Sequence, residues 1–143
     1  MSGFDDALNA FNMALNDYVN GDPRPVLAVF SREDDVTLCN PIGPPCRGRA
    51  NVEWAAAEPS SHFTDGKVSG FEEVSSFVAA DLGYVVRIER GQMHIDGSPE
   101  PVPYSLRVTL IFRREDEAWK IVHRHADPIT TRRPLASAME QPT

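Results

Sequence analysis

Residues 104–127 read YSLRVTLIFRREDEAWKIVHRHAD. Two runs of alternating residues flank a short polar turn, Arg114-Glu115-Asp116-Glu117, and together predict an antiparallel hairpin. Side chains point to opposite faces of a strand with period two. In the first run Tyr104, Leu106, Val108, Leu110 and Phe112 share one face, and Ser105, Arg107, Thr109 and Ile111 the other. In the second, strict alternation groups Trp119, Ile121, His123, His125 and Asp127 against Lys120, Val122, Arg124 and Ala126. A face that grades from Trp and Ile to two His and an Asp has the character of a pocket wall.

Upstream of this hairpin the pattern changes. Phe4, Ala7, Leu8, Phe11, Ala14, Leu15, Tyr18 and Val19 recur at three- and four-residue steps, which predicts an amphipathic helix over 4–19. Ser2 is placed to cap it, Asp5 and Asp6 suit the positive end of its dipole, and Gly21 ends it. Asp22-Pro23 then predicts a second helix over about 24–30, with Asp22 as cap and Pro23 in the first position. A short strand follows at 36–39. Three prolines and two glycines make 40–48 a turn-rich loop. Helix resumes over 49–63, with Pro59 expected to break or bend it. After Asp65-Gly66, strands are predicted at about 67–79 and 83–94, and DGSPEP at 96–101 forms a hairpin loop. Helices first and a meander afterwards imply an α+β domain with helices on one face of a curved sheet. Residues 1–133 form the single domain, and 134–143 read as a disordered tail.

Bulk composition narrows the function classes. The 143 residues suffice for one core, and 41% hydrophobic with 24% charged content is ordinary for a globular chain. A net charge of −7 without a basic stripe argues against nucleic acid and against an anionic membrane surface as partners. No apolar stretch is long enough to span a bilayer, and no basic region precedes an apolar run at the N-terminus. Cys39 and Cys46 make neither a disulfide framework nor a zinc pattern. Two reduced thiols in a cytoplasmic protein are the expectation.

Three pieces of the chain carry a family resemblance. One is the long helix ending in Val19-Asn20-Gly21-Asp22 and running into a short helix. Another is Leu38-Cys39-Asn40-Pro41-Ile42-Gly43 followed by Arg47-Gly48-Arg49. The last is Trp119-Lys120-Ile121-Val122-His123-Arg124-His125. In this order they resemble the NTF2-like superfamily, specifically its SnoaL-like and ketosteroid-isomerase-like domains, over about residues 4–128. The last piece also resembles the association domain of calmodulin-dependent kinase II. The resemblance implies a cone: a curved antiparallel sheet wrapped around N-terminal helices, with a conical pocket. It places Tyr18, Asn40, Trp54, Tyr84 or its neighbours, Arg107, Thr109, His123, His125 and Asp127 on the pocket wall. It also implies a homodimer through the sheet.

The isomerase's catalytic residues do not carry over. Its carboxylate base aligns with Asn40, which cannot abstract a proton from carbon. Its tyrosine donor aligns with Ala14 and its aspartic-acid donor lies near Val108.

Among the residues present, His123, His125 and Asp127 are the candidate catalytic set. Two His two apart lie about 7 Å apart at Cα. They serve either structurally, or in proton transfer near pKa 6.5, or as metal ligands if a third ligand joins them. We expect no metal and no cofactor. Tyr18, Asn40, Trp54, Arg107 and Thr109 are the candidate ligand-binding set. The expected function is a pocket for a small hydrophobic or aromatic molecule, in a cofactor-independent isomerase, cyclase or dehydratase. The alternative is a non-catalytic ligand-binding or homo-oligomerisation module.

Overall fold

The apolar stripe of the first helix is buried as its periodicity predicts. α1 spans Gly3–Tyr18 and buries Phe4, Phe11, Ala14 and Leu15. The computed structural model describes residues 3–140, so the Ser2 cap lies outside the described residues. Gly21, at φ 95°, turns the chain out of α1. α2 is Arg24–Val29. Pro23 stands just before it as the cap residue, and Asp22 accepts the Arg24 amide at 3.1 Å.

β1 (Thr37–Cys39) and β2 (Cys46–Arg47) bracket the proline-rich loop; the second is a two-residue strand where the sequence predicts only loop. Leu38 pairs with Cys46, so Cys46 faces the core side while Cys39 faces away, and both thiols are free. α3 is Arg49–Ser60 and ends one residue after Pro59. β3 (Phe63–Val78), β4 (Leu82–Ile95), β5 (Val102–Glu115) and β6 (Ala118–Asp127) form the meander, and the sheet order is β2-β1-β6-β5-β4-β3. A 3-10 turn at Leu135–Ala138 follows, exposed throughout.

β3 starts four residues earlier than its pattern predicts, because Asp65-Gly66 is an irregularity within the strand and not a turn before it. Asp65 has φ 48°, and pairing with β4 shifts between Thr64 and Lys67. Two further shifts interrupt β3, between Val68 and Gly70 and between Glu73 and Ser75. Each adds local twist and bends the sheet. The Asn20 side chain pairs with both backbone groups of Gly66 at 3.0 Å, and a Cβ there would lie 2.2 Å from the Val19 carbonyl. Glycine thus lets the end of α1 seat on the bent strand.

One irregularity re-aims the last strand. Phe112 pairs with Ile121, but Ile111 pairs with His123, leaving Val122 as the extra residue of a β-bulge. Before the bulge, Ile121 points inward with Phe112. After it, Arg124 and Ala126 point inward, opposite Leu110 and Val108. The expected common face of Trp119, Ile121, His123, His125 and Asp127 is therefore corrected. Ile121 and Ala126 are both buried, 0% and 2% exposed, although they are five apart. The core gathers Phe11, Phe30, Val36, Val52, Val108, Leu110, Phe112 and Ile121 between the helices and the inner sheet face.

Candidate functional site

The core does not fill the cone. A cavity of about 500 Å³ remains between α1, α3 and the inner faces of β4, β5 and β6. Its walls are mainly apolar, with Phe11, Leu15, Val26, Leu38, Met93 and Leu106 among them. A volume of this size suits a small organic ligand.

The polar end of the cavity is built on two strands. β4 alternates Val85, Arg87, Glu89, Gly91 and Met93 on its inner face, all of them buried. Arg87 donates to Glu89 at 2.8 and 3.1 Å, and also to Asn12 of α1 at 2.6 Å. The bulge in β6 delivers Arg124 to the same carboxylate, which it grips through two nitrogens at 2.8 and 3.1 Å. The Glu89 and Arg87 side chains are each 3% exposed and that of Arg124 is 12%. Burial pushes the Glu89 carboxyl upward, but the guanidiniums of Arg124 and Arg87 outweigh it and hold the group below its ordinary range. Burial depresses Arg87, whereas in Arg124 the Glu89 charge overcomes burial and raises it. Arg87 also lies 4.1 Å from the Phe71 ring centroid and Arg124 5.4 Å from that of Phe11.

Two tyrosines complete this end. Burial pushes both Tyr18 and Tyr104 up to about 12, so both are neutral donors at physiological pH. The Tyr18 hydroxyl donates to the Ala56 carbonyl at 2.8 Å. Tyr104 reaches over its cross-strand partner Gly91, where a Cβ would lie 2.5 Å from the phenolic oxygen. At the mouth, His62 sits between Asp96 at 2.6 Å and Glu58 at 3.1 Å, and these carboxylates, Asp96 foremost, raise its pKa.

Of the residues picked out from sequence, the structure brings Tyr18 and Asn40 to the cavity. Asn40 has a clear local task. Pro59 has no N–H to give to the Ala55 carbonyl four residues back, and the Asn40 amide donates there instead at 3.0 Å. Its side-chain oxygen accepts the Ile42 amide at 3.2 Å, so one residue ties the loop to α3. Trp54 is 71% exposed and away from the cavity, because α3 turns that position to solvent while burying Val52 and Ala56.

Tyr84, Arg107, Thr109, His123, His125 and Asp127 all lie on the outer face of the sheet, which the Val122 bulge makes continuous with the outward side of β5. There Arg107 and His125 both bond Asp127, each at 2.8 Å, and Thr37 bonds His123 at 2.7 Å. Among the described residues no group of three or more His, Cys, Asp or Glu is arranged to hold a metal.

The outer cluster makes a pH prediction. Burial raises the Asp127 carboxyl, but bonds from Arg107, His125 and the Ile129 amide prevail and bring it from 3.8 to about 2. A depressed carboxyl stabilises the fold above its unfolded pKa, and that contribution is lost as pH falls through the folded value. Between about pH 4 and 2 the urea midpoint of Asp127→Asn should therefore decline less than that of the wild type; parallel declines would count against the assignment.

Sequence reading missed Glu89, Arg87, Arg124, Tyr104 and His62. A usable signal was present. Arg87 and Glu89 are opposite charges two apart on a face otherwise made of Val85, Gly91 and Met93, the spacing of a pair that neutralises itself inside.

Comparison with known proteins agrees with this architecture. A ketosteroid isomerase-like protein from Erwinia carotovora atroseptica is similar, with a TM-score of 0.72 and 18% identity over 89% of this chain and 94% of that one. An NTF2-like superfamily protein from Salmonella enterica serovar Typhimurium gives a TM-score of 0.75 at 13% identity, over 94% and 93% of the two chains. A candidate calcium/calmodulin-dependent protein kinase type II association domain from Thiobacillus denitrificans gives 0.66 at 26% identity, over 85% and 91%. No curated protein matches the sequence. No described helix is long and apolar enough to cross a membrane. The model of the SnoaL-like domain matches residues 7–130, nearly the whole folded unit, and the chain belongs to that family within the NTF2-like cone fold.

Proposed function

We propose that this chain holds a small hydrophobic or aromatic molecule inside its cone. The observation that carries the reading is the unfilled space of about 500 Å³ whose apolar walls converge on a few fixed polar groups. A domain built only for assembly would gain stability by filling that space. Binding is better supported than proton abstraction from carbon. Asn40 stands where the isomerase base aligns, and Glu89, the carboxylate facing the inner cavity, is committed to two guanidiniums. His62 is the one imidazole among the described lining residues, and it sits at the mouth, held by Asp96 and Glu58.

A thermal-shift screen against hydrophobic acids and polyketide-like rings tests this. A ligand at a hundred times its Kd adds about 2.7 kcal/mol, which raises Tm by several degrees in a domain of this size. Leu106→Trp, which fills the cavity, should abolish those shifts while leaving a folded protein. Failure of the whole panel, or shifts that survive Leu106→Trp, would defeat the reading.

The outer sheet face favours self-association as well. Phe77, Tyr84, Ile111 and His123 form one cross-strand row on it, with Phe77 59% and Tyr84 38% exposed. A homodimer through this row would cover them. Phe77→Asp should then turn a dimer into a monomer by light scattering; a wild-type monomer at micromolar concentration would exclude the arrangement.

A further inference from the structure

We infer that the ligand of the cone is an amphipathic carboxylate, its acid group seated between Arg124 and the Tyr104 hydroxyl and its apolar body directed toward the mouth. This deepens the reading of the cone as a small-molecule site and rests on it.

Charge balance is the first ground. The buried cluster joins two guanidiniums, Arg87 and Arg124, to one carboxylate, Glu89, and the remaining bonded partner, Asn12, is neutral. Glu73 lies in register with Arg87 on β3 and its charge acts on that guanidinium from a distance, but it is exposed and forms no ion pair with it among the described residues. The bonded cluster therefore carries one positive charge more than it balances, in a buried site where an unpaired charge is costly. A monoanion offsets it; a neutral ligand leaves it, and a phosphate dianion overcorrects it.

Unused hydrogen-bond capacity is the second ground. Arg124 commits two of its five N–H groups to Glu89 and borders the cavity. The Tyr104 hydroxyl lines the same cavity and has no hydrogen-bond partner among the described residues, while every buried side-chain nitrogen and oxygen does have one. Free donors therefore face the open space on the side of the excess charge. A guanidinium and a phenol together match the planar acceptor geometry of a carboxylate.

Polarity along the cavity is the third. The charged end is buried, whereas the mouth carries Ile42, Ile95 and Val102, which are 72%, 37% and 40% exposed. Apolar side chains left in solvent around the opening suit a ligand whose apolar end reaches them.

Titration calorimetry of the full chain with 4-phenylbutanoate and its neutral isostere 4-phenylbutanamide tests the inference. The acid should bind at least tenfold tighter, and each added methylene in the phenylalkanoate series should tighten binding about fourfold until the ring reaches the rim. Tyr104→Phe removes a hydroxyl without orphaning a partner, so it should fold normally and weaken the acid about tenfold. Equal binding of acid and amide overturns the inference while leaving the cone as a small-molecule site. An unchanged affinity in a folded Tyr104→Phe overturns the placement of the acid group. Binding of neither probe overturns the inference together with the reading beneath it.

Discussion

Glu89→Gln is expected to lower the unfolding free energy by about 3–5 kcal/mol, because it breaks a buried ion pair from one side only. The change keeps the shape of the side chain, so no cavity enters the result. What changes is charge: the Arg87 and Arg124 guanidiniums, now facing a neutral amide, repel each other where water cannot screen them. For a domain of this length the loss corresponds to a fall in Tm on the order of 10 °C. The surface pair Arg90–Glu72 is the control. Its side chains are 47% and 63% exposed, and Glu72→Gln should cost less than about 1 kcal/mol. Urea denaturation of both variants decides the matter. Equal, small losses would mean that the inner cluster is far wetter than its burial indicates.

Arg124→Glu should be more damaging still. It removes one of the two guanidiniums that hold Glu89 and sets a second carboxylate against it in a buried site. The expected loss is at least 5 kcal/mol, a large part of a typical domain's stability. Near-UV circular dichroism and the urea midpoint should both report it, and a variant with the wild-type midpoint would show that the cluster does not need Arg124. Deleting Val122 is the control for the strand itself. Phe112 already pairs with Ile121, Ile111 with His123 and Leu110 with Arg124, so without Val122 these pairs form one unbroken ladder and Arg124 and Ala126 stay inward. Only the local bend of the bulge is lost, and the expected cost is about 1–3 kcal/mol with the m-value kept.

The same residue explains what the sequence did and did not reveal. Element types and order were legible from periodicity, because α1 and the meander strands obey their own periods over long runs. The cone followed from that order and from the family resemblance. The two faces of β5 were legible too, since Tyr104 through Phe112 alternates without interruption, but not which of them turns inward: Arg107 and Thr109 were expected on the pocket wall, and Tyr104 and Leu106 line it instead. β6 was not. Val122 is an ordinary strand residue, and nothing local marks it as the one that drops out of pairing. Every inference downstream of it, including the pocket position of His123, His125 and Asp127, inherited the wrong phase.

Burial of Arg87 and Glu89 was hidden for a related reason. Charged residues in a strand read as solvent-facing unless a partner is known, and here the partner arrives 35 residues later, across that same bulge. Asn40 shows the opposite case. The family resemblance placed it among the ligand-binding candidates, and it does border the cavity, but its side chain also answers a vacancy that Pro59 leaves in α3.

The interruptions of β3 have a consequence for solubility. β3 is an edge strand sixteen residues long, and Phe71, Val74, Phe77 and Val78 along it are all exposed. An unguarded border of that length would template the addition of foreign strands and so seed aggregates. The three register shifts divide it so that no stretch longer than Gly70–Glu73 or Ser75–Val78 pairs without a break. An incoming strand meets only short, mutually twisted segments. The kinks that curve the sheet around its cavity therefore also leave its open border a poor template.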